Sequence, residues 1–340
     1  MKTFAAITTL VGVGLAVAVA STRRSVERVP TELPATLRET GLYADWDRKE
    51  VAAANRPFTP QYPLWTDAAR KRRWIYLPRG AAIDASNPDA WQFPVGTRLW
   101  KEFSFGARTE TRFMMRTRDG WKFATYVWTA DGSDAVRAPN GGPVTAEVAP
   151  GVRHQVPAEG ECHACHGNGA TPVLGFSALQ LSPDRDPNAL HSEQPAPGSL
   201  DLNALVAAKL VLGLPASARA PRIPGPPVER AALGYLHGNC GHCHRADGAV
   251  ASVGMVLAYS VVRPPATHTA IAQPSKFMAP HVRVAPGDAE QSVVIARMRT
   301  RSPVEQMPPL GTQLVDEAAV HLIATWIDQL APSQPTGESK

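Results

Sequence analysis

Two copies of one short pattern constrain this chain more than any other feature: Cys162-His163-Ala164-Cys165-His166 and Cys240-Gly241-His242-Cys243-His244, both C-x-x-C-H. The chain has 4 cysteines, and the two motifs use all of them. Two thiols one helical turn apart, followed at once by an imidazole, suit c-type haem attachment, in which the thiols add to the vinyl groups and the histidine binds iron. Two covalently bound haem c groups are therefore expected, one on Cys162, Cys165 and His166 and one on Cys240, Cys243 and His244. Three rivals compete for the same residues. Paired C-x-x-C spacings also build a four-thiolate zinc site, but zinc has no need of the trailing histidine, and only 10 of 340 residues are histidine. A redox-active dithiol belongs at a helix start after a buried strand, whereas Cys240 follows a helix-like run at 228–236. A disulfide across two residues closes too short a loop to stabilise much.

Hydrophobic residues make up 44% of the chain and charged residues 19%, enough apolar material for packed cores and too little charge for wholesale disorder. The length suits about two domains plus a targeting segment. With 32 prolines in 340 residues, the chain should be loop-rich between its elements. A net charge of +5 suits an acidic redox partner or a membrane surface. Basic residues are scattered except at Arg70-Lys71-Arg72-Arg73, which reads as a solvated face beside a strand, so no nucleic-acid partner is expected.

Residues 1–20 combine basic Lys2, an apolar run at 4–20 and Ala18-Val19-Ala20 before Ser21, the pattern of a secretory signal peptide cleaved after Ala20. Uncleaved, the same run is just long enough to anchor the chain, although Arg23 and Arg24 disfavour that orientation. No other segment reaches the apolar length of a span, so no stable transmembrane helix is expected after cleavage and the location is read as periplasmic.

The expected fold class is α+β, a β-rich N-terminal haem domain followed by a small all-α domain. An extended lead-in at 21–56 should wrap over a β-rich domain at 57–214, with strands at 73–77, 97–105, 111–117, 121–128 and 144–148. Asp119-Gly120 reads as a hairpin turn. In the run 121–128, Trp121, Phe123, Thr125 and Val127 share one face and Lys122, Ala124, Tyr126 and Trp128 the other, so both faces should be covered. A helix is expected at 200–212, capped by Ser199 or Asp201 and ended by Gly213. Five prolines make 215–227 a semi-rigid linker. The C-terminal domain then covers 228–332, and 333–340 reads as a disordered tail.

Residues 228–331 resemble a class I cytochrome c: an amphipathic helix feeding the haem motif, a long loop, Met307-Pro308-Pro309-Leu310-Gly311, and a closing helix at 315–330 with Asp316 at its start. The resemblance implies Met307 as the second iron's far ligand, 63 positions after His244 (307 minus 244), with Met298 as fallback. His268, His281 and His321 read as surface or capping residues. Phe93-Pro94-Val95-Gly96-Thr97 followed by Lys101 resembles the all-β haem proteins that include the crosslinked-haem hydroxylamine-oxidising cytochromes and cytochrome c-prime-beta. That likeness implies a first haem with an open distal face, guarded by Phe113, Met115 or Trp121; as plain residues these read as core. His154, His191, Met114 and Met115 compete as its sixth ligand.

Across 57–331 the chain resembles a family of bacterial exported dihaem cytochromes. The likeness is carried by Tyr62-Pro63-Leu64-Trp65-Thr66-Asp67, Arg73-Trp74, Phe93 to Thr97, Gly120-Trp121 with Tyr126 and Trp128, Glu161-Cys162, Gly175-Phe176 with Gln180-Leu181, and Tyr235-Leu236 with Asn239-Cys240. It implies an electron carrier between periplasmic partners such as a dehydrogenase, an oxidase or another cytochrome. The competing expectation is a haem enzyme whose open first iron acts on peroxide, nitric oxide or hydroxylamine, with the second haem as electron port. No localised acid–base pair appears, so no catalytic residue is assigned; His154 and Glu161 qualify only if they fold over the pocket.

Overall fold

The computed structural model describes residues 31–167, 171–263, 266–277 and 281–331. The expected signal peptide and the tail at 333–340 lie outside the described residues. The chain is α+β, with mostly antiparallel sheets and, among the described residues, five α-helices.

The lead-in is more ordered than an extended wrap, since β1 (Tyr43–Asp45) and β2 (Glu50–Val51) form a small hairpin. The main body is a six-stranded antiparallel sheet of β3 (Arg56–Pro57), β4 (Arg70–Tyr76) and, after the short β5 (Ile83–Asp84), β6 (Arg98–Phe105), β7 (Ala107–Thr117), β8 (Gly120–Trp128) and β9 (Ala135–Arg137). Its strands pair in that order, with β5 left out. The β7–β8 turn is Arg118-Asp119, one residue before the expected position, because Thr117 pairs with Gly120.

Both faces of this sheet are covered, which explains why its strands lack simple apolar–polar alternation. On the outer face Trp74, Trp100, Phe113, Met115, Ala124, Tyr126 and Trp128 pack under Leu37, Leu42, Tyr43 and Trp46 of the lead-in. On the inner face Ile75, Leu99, Met114 and Phe123 pack under residues that follow the first motif, among them Phe176, Leu181, Leu200, Leu202 and Leu205. Each fully buried large side chain contributes about 1.5–3 kcal/mol.

The hairpin of β10 (Gly142–Ala149) and β11 (Val152–Val156) leads into α1 (Glu159–His166), which carries the first motif. The helix expected at 200–212 is shorter. Asp201 caps α2 (Leu202–Ala207) by accepting the Ala204 N–H, and Lys209 takes a left-handed φ of 55° just beyond its end. The remaining apolar pair forms β12 (Val211–Leu212), parallel to β5. Within segment 215–227, Ala218 and Ile223 are fully buried.

Three helices build the C-terminal part: α3 (Pro227–Asn239), α4 (Val293–Arg299), which the sequence pattern did not reveal, and α5 (Glu317–Asp328). Helix α3 is buried along Arg230–Leu236 instead of amphipathic. Arg230 is held by the Asp184 carbonyl at 2.9 Å and lies 3.9 Å from the Asp186 carboxylate. The core around α3 and α5 also contains Tyr62, Leu179, Ala189 and Ile223, so it draws on residues from the N-terminal side of α3.

The segment Tyr62–Asp67 ties the two parts together. Asn239 accepts the Trp65 N–H at 2.7 Å and donates to the Pro63 carbonyl at 3.3 Å. Asp67 accepts the backbone N–H groups of Gln313 and Leu314 at 2.8 and 2.9 Å. Among the described residues, no helix is long and apolar enough to cross a membrane.

Candidate functional site

The two motifs are far apart in the chain, and the fold brings them together. The first sits on α1 and the second begins at the C-terminal end of α3, where Cys240 is the cap residue. Cys165, Cys243 and His242 present donor atoms that all lie within 4.8 Å of one another. The Cys243 thiol also reaches the Ala164 carbonyl at 3.9 Å. The hydrogen bond between the two thiols pushes Cys165 up to about 12, with burial adding to it, and lowers Cys243. Burial pushes Cys162 up to about 11 and Cys240 up to about 12. The four cysteines are free thiols, and Cys162 and Cys240 pack into separate apolar clusters. The four-thiolate zinc arrangement is therefore not assembled, although Cys165, His242 and Cys243 could hold a metal ion between them.

A cavity opens beside each motif. The first, of about 170 Å³, is lined by Cys162, Cys165 and His166 with Met114, Phe123, Arg73, Lys101 and Arg112 of the sheet's inner face. The second, of about 280 Å³, is lined by Cys240, Cys243 and His244 with Met255, Met298 and Met307. Trp65, His242 and Pro308 line both, so the two cavities share a wall.

His166 donates from Nδ1 to the Pro172 carbonyl at 2.7 Å, which fixes the tautomer and leaves Nε2 as the free lone pair, the arrangement typical of a metal-binding imidazole. Burial holds it down at about 4, so it is neutral near neutral pH. Burial also lowers His244. The ring of Phe123 lies 5.4 Å from that of His166. Close packing shapes the second motif too, since a Cβ at Gly241 would meet the His237 carbonyl oxygen at 2.7 Å.

The structure separates the candidate far ligands. Met307 lines the second cavity, its N–H donating to the Arg297 carbonyl at 2.9 Å and its carbonyl accepting from Arg301 at 3.1 Å. Met298 lines the same cavity but is buried in the core around α5. His268, His281 and His321 are exposed. At the first cavity, Met114 is the methionine on the wall, whereas Met115 faces the opposite side of the sheet. Of the expected guards, Phe113 borders the cavity while packing in the outer-face cluster, and Trp121 packs on Phe93, 5.9 Å between rings. His154 is buried against Glu110 at 3.0 Å, and His191 is held on Asp316 at 2.8 Å. Asp316 also accepts the Tyr235 hydroxyl at 3.0 Å and caps α5. Glu161 lines the first cavity but is occupied at the start of α1, where its carboxylate accepts the Ala158 N–H at 2.7 Å. Arg70-Lys71-Arg72-Arg73 is not a wholly solvated face, because strand alternation buries Lys71 and Arg73 and places Arg73 on the first cavity's wall. The site roles of Trp65, His242, Lys101 and Arg112 escaped the sequence reading, because their proximity depends on strand register and on contact between the two parts.

No protein-family model, curated protein or solved structure matches this chain.

Proposed function

We propose that the chain is an exported dihaem c-type cytochrome that passes electrons between periplasmic redox partners. The observation that supports it best is the pairing of each C-x-x-C-H motif with a mainly apolar cavity, the second of which also holds Met307. In this reading Cys162 and Cys165, and Cys240 and Cys243, hold the two groups, while His166 and His244 offer imidazole nitrogens to the irons. Met307, on the wall of the same cavity as His244, would offer its thioether to the second iron, a neutral pairing that raises the potential. Each haem c supplies a reversible ferric–ferrous couple. The apolar walls exclude water, and Arg283, Arg297 and Arg301 give the second cavity positive charge suited to an anionic cofactor. The wall shared by Trp65, His242 and Pro308 supports a relay, since centres held in these cavities would lie side by side.

A second reading has its own support: Cys165, His242 and Cys243 are close enough to share a metal ion. It would leave Cys162 and Cys240 without a role. The experiment that tests electron transfer is a visible spectrum of the purified protein, reduced and oxidised, with and without carbon monoxide. The reading predicts a reduced spectrum that carbon monoxide leaves unchanged at the second centre, and a weak far-red band in the oxidised state that Met307→Ala abolishes. A far-red band that survives in Met307→Ala would remove Met307 from the assignment, and carbon monoxide binding at the first centre would favour an enzyme.

A further inference from the structure

The inner face of the sheet carries an arrangement that a largely buried surface should avoid: one buried and two half-buried cations side by side. Strand register sets Arg73 opposite Lys101 and Lys101 opposite Arg112, three cations in one row across β4, β6 and β7. Like charges directly opposite one another destabilise a sheet, and buried charge needs a partner. Two of the three have one. Arg73 pairs with Glu193 at 3.3 Å and Arg112 with Glu110 at 2.7 Å. Lys101, in the middle, has no carboxylate partner among the described residues and rests on the Phe103 ring at 4.8 Å. Lys71 and Arg112 approach the same ring, at 6.0 and 4.3 Å. Thr125, next in the row opposite Arg112, is fully buried with its hydroxyl unpartnered. All three cations line the first cavity, together with Cys162, Cys165 and His166.

We propose that this row is an anion site in the first cavity, with Lys101 as the group that binds a carboxylate or small oxyanion. Burial and the cations Arg73, Lys71 and Arg112 push the Lys101 amine well below its ordinary range, and a bound anion would restore its proton. The neighbouring row, Ile75, Leu99, Met114 and Phe123, is apolar, so the wall is divided into a greasy part and a cationic part. An amphipathic cofactor with carboxylates at one edge fits that division, and so does a free oxyanion drawn into the cavity. Only the source of the anion rests on the haem reading; the site itself rests on the row.

The test uses the full-length protein as isolated, with Lys101→Met and the conservative Lys101→Arg, each checked for folding by circular dichroism. Nitrite is titrated by calorimetry, and the first centre's midpoint potential is measured by spectroelectrochemistry. If the cofactor's own carboxylates fill the site, nitrite does not bind the wild type, Lys101→Met lowers the first centre's potential while leaving the second unchanged, and Lys101→Arg restores it. If a free oxyanion fills it, nitrite binds the wild type saturably, and Lys101→Met weakens binding by about tenfold or more, a loss of about 1.4 kcal/mol. No nitrite binding together with no response of the potential to Lys101→Met overturns the proposal. Should the chain carry no haem, the calorimetric arm decides alone: binding that Lys101→Met removes supports the site, and no binding overturns it.

Discussion

Glu110 shows what a single residue contributes beneath the first cavity. It is fully buried, and although burial raises its pKa, Arg112 and His154 outweigh that and hold it at about 2. Its folded value lies below the ordinary value of about 4.3, so its stabilisation is present above that pH and is lost as pH falls toward about 2. Glu110→Gln should cost about 3 kcal/mol at neutral pH by leaving the half-buried Arg112 and the buried His154 without their carboxylate, and should flatten the acid side of the stability profile. Urea unfolding between pH 2 and 7 measures both; an unchanged acid profile would contradict the assignment. The motif residues were legible in the sequence because their spacing is local. Glu110, Lys101 and His242 were not, because their surroundings are assembled by contacts distant in the chain: His154 of β11 against Glu110, the β4–β6–β7 register around Lys101, and Cys165 of the first motif beside His242.

At the scale of elements, α3 and the segment Tyr62–Asp67 approach so closely that glycine is needed on the helix. A Cβ at Gly238 would lie 2.5 Å from the Tyr62 carbonyl oxygen, and one at Gly234 would collide with the Tyr62 ring. Gly238→Ala should therefore destabilise the protein by about 1–3 kcal/mol through overpacking, read as a lower urea midpoint with unchanged slope; an unaltered midpoint would show that the segment yields freely. The main strands, α3 and α5 were visible in the sequence as runs of β-branched, aromatic or periodic apolar residues. The stretch 200–212 misled because its leucines serve two purposes, α2 and then β12, and composition alone does not reveal the left-handed turn at Lys209 between them.

At the scale of the whole molecule, proline-rich 215–227 looked like a boundary, yet Ile223 within it is buried in the same core as Tyr62, α3 and α5. The two parts share a core, the Trp65–Asn239 and Asp67–Gln313 hydrogen bonds, and the common wall of the cavities. Unfolding followed by tryptophan fluorescence and by far-ultraviolet circular dichroism should thus give coincident transitions; two separated transitions would show independent domains. The central claim, two covalent haem groups on the paired motifs, is tested most directly by the intact mass of the purified protein under denaturing conditions. The account predicts the mass of the polypeptide plus two haem groups, one of which is lost when Cys162 and Cys165 are replaced by serine and the other when Cys240 and Cys243 are. The mass of the bare polypeptide would contradict it.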